Sequence, residues 1–280
     1  MRLSKQIEKL AIRLTTIMLP LLTIACQLNA EETPDTMNVA ILGDSNTWLG
    51  GDNCNQPKGW NTWFVKNFNP QSCQSYARSG ATWTNTTSTF LNTEENVGVL
   101  TDNNVIYNQV MRLHQAVSDG LQPEPHLIII AAGTNDAWFE AKRPAAFSTE
   151  GNLFDASPSD ICAMLPNRVL TLQSAVIHNC RLLQSHYPNA RIVLLTPLQT
   201  TAVSLAKIQQ TGDLIEDCGK HLGLCVIRQD RDCVVNREQE TRKRTNTYDG
   251  THTNENGAKQ NGKIIADKIK QLINKTNCSL

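Results

Sequence analysis

The chain has 280 residues, 26 Lys+Arg against 26 Asp+Glu, 40% hydrophobic residues and 9 cysteines. That length is ample for a buried core, in one large domain or two small ones. A charged fraction of 19% with net charge +0 excludes the usual disordered signature and offers no basic excess to recruit nucleic acid.

The N-terminus bears on the odd cysteine count. Arg2, Lys5, Lys9 and Arg13 form a basic segment whose only acid is Glu8, and residues 14–25 are apolar or Thr apart from Pro20. About a dozen such residues fall short of the roughly 20 a membrane span needs and suit a signal-peptide core. Leu28-Asn29-Ala30 offers a small residue for cleavage after Ala30. The alternative is a lipoprotein signal to residue 25, with Cys26 lipidated as an anchor, although Thr23 stands where a Leu is usual. An amphipathic helix of the folded domain fits less well, because the apolar residues are clustered rather than spaced at helical period.

Removal of residues 1–30 leaves 22 basic and 25 acidic residues, net −3, and takes Cys26 away. The remaining eight cysteines, an even number in an exported chain, read as disulfides, with Cys54–Cys73 and Cys162–Cys180 as the expected pairs. No Cys-x-x-Cys occurs, and the Cys218, Cys225, Cys233 spacings are too loose for a zinc knuckle. The expected location is periplasmic or extracellular.

Residues 31–37 read as a short linker and 38–280 as one domain, with no repeat or low-complexity tract. In chain order, 38–42 is a short strand ending at Gly43, and 74–77 is a second ending near Gly80. Residues 105–118 form a helix with Ile106, Val110, Leu113 and Val117 on one stripe. Residues 126–132 contain a continuous apolar run typical of a strand buried on both faces. A long helical stretch over 159–185 is broken at Pro166. Strand 191–195 stops at Thr196-Pro197, helix 202–221 follows, then strand 224–227 and helix 256–273. This alternation predicts a parallel sheet covered by helices on both faces, with ligands beyond the carboxyl ends of the strands.

Four motifs fall there. Gly43-Asp44-Ser45 follows the first strand, where a serine can expose its hydroxyl beside helix-start N–H groups; the plainer reading is an N-cap. Asp249-Gly250-Thr251-His252 lies before the last helix, and its three-residue spacing lets a carboxylate orient an imidazole base. The plainer reading is an Asx turn. The other five histidines, His114, His126, His178, His186 and His221, read as structural. Gly133-Thr134-Asn135-Asp136 could present the Asn135 carboxamide to an oxyanion, or be only a strand-end turn. Gly80 could lend a backbone N–H to the same oxyanion, or be only a turn glycine.

Taken together and in order, the four motifs resemble the SGNH (GDSL-type) hydrolases over most of 38–260. The resemblance implies a three-layer α/β/α, flavodoxin-like fold and acyl-ester hydrolysis with no cofactor or metal. By motif position, Ser45 would be nucleophile, His252 base and Asp249 its orienting acid. Ser45 N–H, Gly80 N–H and the Asn135 side chain would form the oxyanion hole. Asp44 and Asp136 would brace their turns. The first block, through Trp48, looks like that of aryl-esterase and acyltransferase members, but Leu49-Gly50-Gly51-Asp52 and the cysteines after it depart from the pattern.

Trp48, Trp83 and Trp138 would border the serine and contact substrate, or serve only core or loop packing. The expected substrate is a short acyl ester, acetyl first, on a small molecule or glycan. A lipase, lysophospholipase or aryl esterase is the alternative within the fold, and a non-catalytic carbohydrate-binding protein the alternative outside it. The basic run 237–244 is interleaved with Glu238 and Glu240 and reads as a solvated face.

Overall fold

Five strands, Asn38–Gly43 (β1), Ser72–Ser75 (β2), Leu127–Ala131 (β3), Arg191–Leu195 (β4) and Cys225–Ile227 (β5), form one all-parallel sheet in the order β2-β1-β3-β4-β5. The computed structural model describes residues 33–277 apart from Asn96, Asp232 and Cys233. The expected signal peptide over 1–30, Cys26 included, lies outside the described residues, as does Cys278.

Side chains alternate across a strand, so each apolar strand feeds two cores. Val39, Ile41, Leu127, Ile129, Val193 and Leu195 face Trp60–Phe68 (α2) and Glu255–Asn277 (α9). Ala40, Leu42, Ile128, Ile130, Ile192 and Leu194 face Ile106–Ser118 (α3), Leu172–His186 (α6) and Leu205–Leu222 (α7). This is the three-layer α/β/α sandwich expected from the strand–helix alternation. Each fully buried Leu, Ile or Phe contributes about 1.5–3 kcal/mol, so the central β1 and β3 are the energetic spine of both layers. Helix α9 approaches α2 closely: a β-carbon on Gly262 would stand 2.3 Å from the Trp60 carbonyl oxygen.

Several boundaries moved for local reasons. The expected strand at 74–77 is Ser72–Ser75, because β1 fixes its register through Asn38 opposite Ser72 and Ile41 opposite Ser75. The stretch 159–185 resolves into Pro158–Cys162 (α5), a 3₁₀ turn at Pro166–Arg168 and α6. Pro166 cannot continue a helix, and Thr171 restarts one through a capping box with Ser174. Helix α7 starts at its Ser204 cap and ends on Gly223 in the left-handed region, φ 67°. The helix start expected at Ser45 is the short helix Ser45–Trp48 (α1), and α2 joins the short helices Thr134–Trp138 (α4) and Arg237–Arg242 (α8) as elements beyond those expected.

Neither expected disulfide is a bond here. All six described cysteines, Cys54, Cys73, Cys162, Cys180, Cys218 and Cys225, are free thiols. Cys54 and Cys73 do face one another, with Sγ atoms 3.6 Å apart. Cys180 lies in the α3/α6/α7 core, where burial and the neighbouring Cys218 push its thiol up. Cys162 is only packed against that core from α5.

Candidate active site

Ser45 opens α1, directly beyond the carboxyl end of β1. The turn that presents it is held from three sides. Gln109 on α3 uses its carboxamide like a strand edge, accepting the Gly43 N–H (2.8 Å) and donating to the Gly43 carbonyl (2.9 Å). The Arg78 N–H also donates to that carbonyl, and the Asp44 N–H donates to Ala131 on β3. A β-carbon on Gly43 would stand 2.6 Å from both the Ala131 oxygen and Thr47 Oγ1, so only glycine permits this approach. Asp44 then caps α1, its carboxylate accepting the Asn46 N–H at 3.2 Å.

His252 lies 207 residues from the serine in sequence, yet its Nε2 is 2.9 Å from Ser45 Oγ. His252 Nδ1 is 2.6 Å from Asp249 Oδ2. With a carboxylate on Nδ1, that nitrogen carries the proton and Nε2 is left to accept the serine hydroxyl. Asp249 Oδ1 accepts the N–H groups of Thr251 (2.9 Å) and His252 (2.7 Å), which fixes the carboxylate within its own turn. Burial alone would raise the Asp249 carboxyl, but these bonds and the imidazole outweigh it and hold the carboxyl below the usual range. Ser45, Asp249 and His252 are therefore brought into one hydrogen-bonded line.

Two unforeseen residues fasten that line. Asn46 donates from Nδ2 to the Thr251 carbonyl (3.2 Å) and accepts the Thr253 N–H at Oδ1 (3.0 Å). Residues 238, 239 and 241–244 are exposed, as expected of a solvated face, but Glu240 within that run is 1% exposed. Its carboxylate accepts the N–H groups of Thr245, Asn246 and Thr247 and the Thr247 hydroxyl. The neighbouring Glu238 does pair with Arg242 in solvent. Alternation with basic residues hid Glu240, which carries no motif of its own. Gln109 had a signal: a polar side chain inside the Ile106, Val110, Leu113 stripe.

On the other side of Ser45, Gly80 sits at φ 79° with Val99 and Leu100 packed where a side chain would be. Asn135, on the first turn of α4, donates from Nδ2 to the Ala81 carbonyl at 2.9 Å. Asp136 accepts the N–H groups of Trp83 (3.0 Å) and Thr84 (2.9 Å) and the Thr84 hydroxyl (2.7 Å). Gly80 and Asn135 are thereby carried on two segments tied to each other. Both braces are buried carboxyls. Desolvation raises Asp136 and pushes Asp44 up to about 6, against lowering hydrogen bonds from Asn46 and Thr134.

The three tryptophans divide. Trp48 (46% exposed) and Trp138 (40%) stand at the surface at the ends of α1 and α4, whereas Trp83 is fully buried and cannot touch substrate. Trp83 serves the core with its ring and Asp136 with its backbone.

Solved structures share this architecture. A protein from Lactobacillus plantarum has a TM-score of 0.57 at 15% identity, over 86% of this chain and 98% of its own. A possible lipase from Chitinophaga pinensis has 0.54 at 14%, over 84% and 98%. An acetyl xylan esterase has 0.50 at 14%, over 84% and 99%. At such identities they show the fold alone. No curated protein matches the chain. The family model described as GDSL-like Lipase/Acylhydrolase matches residues 41–260, from the Ser45 turn through the His252 turn. The chain belongs to the GDSL-like lipase/acylhydrolase family and is an ester hydrolase.

Proposed function

We propose that the chain is an exported serine esterase that removes short acyl groups, acetyl first, from carbohydrates. The reading rests above all on the line Ser45 Oγ, His252 Nε2, His252 Nδ1, Asp249 Oδ2, with steps of 2.9 and 2.6 Å. His252 takes the Ser45 proton as Oγ attacks the acyl carbonyl. The developing oxyanion is met by the Ser45 N–H, the Gly80 N–H and the Asn135 carboxamide. Collapse breaks the bond to the alcohol oxygen, which leaves with the proton from His252. Water, deprotonated by His252, then cleaves the acyl-enzyme and restores the serine.

Surface-exposed Trp48 and Trp138 suit a sugar ring, which favours carbohydrate over a long acyl chain. Export is supported by the basic start and the apolar stretch 14–25. In an oxidising compartment Cys54 and Cys73 are the pair positioned to join.

Hydrolysis of p-nitrophenyl acetate tests the mechanism. Ser45→Ala and His252→Ala are each expected to lower kcat by about 10⁴-fold or more, and near wild-type rates would overturn it. A series of p-nitrophenyl esters tests the acyl preference: faster turnover of octanoyl than of acetyl would favour the lipase alternative.

A further inference from the structure

The segment Leu49-Gly50-Gly51-Asp52, where the chain departs from the family pattern, forms one wall of a cleft of about 580 Å³. Trp48, Leu49, Asp52, Gln56, Pro57 and Lys58 line it. Its floor is secured by backbone and side chains alike. Arg78 holds the Asp52 carboxylate with two nitrogens, at 2.7 and 3.3 Å, and the Ser75 N–H donates to the Asp52 carbonyl at 2.8 Å.

The cleft adjoins the Ser45 and His252 turns. Trp48 closes the helix that Ser45 opens, and the Lys58 carbonyl accepts the hydroxyl of Thr253, the residue after His252, at 2.8 Å. Tyr248 stands between Lys58 and His252. Its ring stacks on the His252 imidazole (centroids 5.7 Å apart, planes 14° apart) and is half exposed, and the Lys58 ammonium stands 5.3 Å from its centroid.

Two physical arguments say what this cleft takes. The alcohol oxygen must receive its proton from His252 Nε2, so groups flanking the imidazole belong to the alcohol side of the ester rather than the acyl side. Tyr248 and, beyond it, Lys58 are those groups. The charges on the cleft wall are Asp52 and Lys58, and Asp52 is neutralised by Arg78. Among the described residues Lys58 has no ion-pair partner; it lines the cleft with Trp48, and its ammonium stands over the exposed Tyr248 ring.

We infer that Trp48, Lys58 and Tyr248 form an alcohol-side subsite for a sugar ring bearing a carboxylate, so that the preferred substrate is an acetylated, uronate-containing saccharide. The inference rests on the proposed carbohydrate esterase reading and narrows it to anionic glycans. The rings stack on the sugar face, and Lys58 pairs with the carboxylate.

The test measures kcat/KM for acetate release from an acetylated polyuronide and from a neutral acetylated xylan, beside p-nitrophenyl acetate. The full chain is compared with Lys58→Gln and Lys58→Arg. The wild type is expected to favour the polyuronide, and Lys58→Gln to lower the polyuronide-to-xylan ratio about three- to fivefold, the range of an exposed charge contact. Lys58→Arg should restore the ratio, and added salt should shrink the preference. Equal kcat/KM for the two polymers, with a ratio that Lys58→Gln leaves alone, overturns the anionic subsite while the carbohydrate reading stands. Cleavage of p-nitrophenyl acetate with no acetate from either polymer overturns both.

Discussion

Asn46 joins the residue after the candidate nucleophile to the residue after its imidazole: its Oδ1 accepts the Thr253 N–H at 3.0 Å, across 207 residues of sequence. The same carboxamide donates to the Thr251 carbonyl. One side chain thereby sets the distance between the Ser45 and His252 turns. Asn46→Ala should lower kcat on p-nitrophenyl acetate about 10- to 100-fold, the scale of a displacement near 1 Å, with KM changed much less. It should also cost about 2–3 kcal/mol of stability through the buried groups left unpaired. A variant with full kcat would show that the turns hold their spacing without it.

Asp44 gives stability a specific pH dependence. Burial raises its carboxyl from the ordinary 3.8 to about 6. A folded-state value above the unfolded one means the folded chain holds the proton more tightly. That contribution is fully present below about pH 4 and is lost as pH rises through about 6. At neutral pH the charged carboxyl therefore costs about 3 kcal/mol relative to acid, at 1.36 kcal/mol per unit. Asn caps a helix as well as Asp. Asp44→Asn should flatten the fall in Tm between pH 4 and 6, with Asp136 still contributing in the same direction. Parallel Tm curves for the two proteins would refute this.

Glu240 is the buried post to which the Asp249–His252 turn is tied, through Thr245, Asn246 and Thr247. Replacing it by Ala strands several buried N–H donors and should cost about 3 kcal/mol. Amide hydrogen exchange at Asn246 and Thr247 should accelerate at least about tenfold, since 1.4 kcal/mol already corresponds to that factor. Unchanged protection there would mean the segment is held by other contacts.

The Cys54–Cys73 pair offers a redox test of the proposed exported state. Treatment with oxidised glutathione should join these two thiols by exchange, each protein sulfur losing its proton as glutathione is released. Peptide mapping should find this link rather than Cys162–Cys180. Closing a loop of this size is expected to add about 3 kcal/mol, read as a higher denaturant midpoint that Cys73→Ser abolishes. Loss of the same number of thiols in Cys73→Ser would point to a different pair.

What the sequence made legible follows the strength of local physics. The run Leu127–Ala131 is apolar on both faces, so only a central strand satisfies it, and β1 and β4 read the same way. Ser72–Ser75 is a polar edge strand, set by pairing to β1 and so displaced from its expected place. Helix α2 carries Trp60, Phe64 and Phe68 at four-residue spacing, a helical stripe as legible as that of α3, and packs that stripe against α9. Ser45, Asn135, Asp249 and His252 were legible because their types and order carry chemistry. Glu240 and Asn46 were not, because each acts on backbone that only the folded chain brings near, and Gln109 showed only as a polar side chain within an apolar stripe. Trp83 misled for the opposite reason: an aromatic beside a motif looks like a wall until the core claims it.

The 207-residue separation between Ser45 and His252 has a kinetic meaning. Contacts of such long range close late, after the local helices and the β1–β3–β4 pairings have formed. A refolding chain would recover most of its helical signal while still unable to turn over ester, and would gain activity only when the 245–253 segment docks against α1. Esterase activity is then a stopwatch for the last event of folding, and its lag behind circular dichroism would time the docking of that segment.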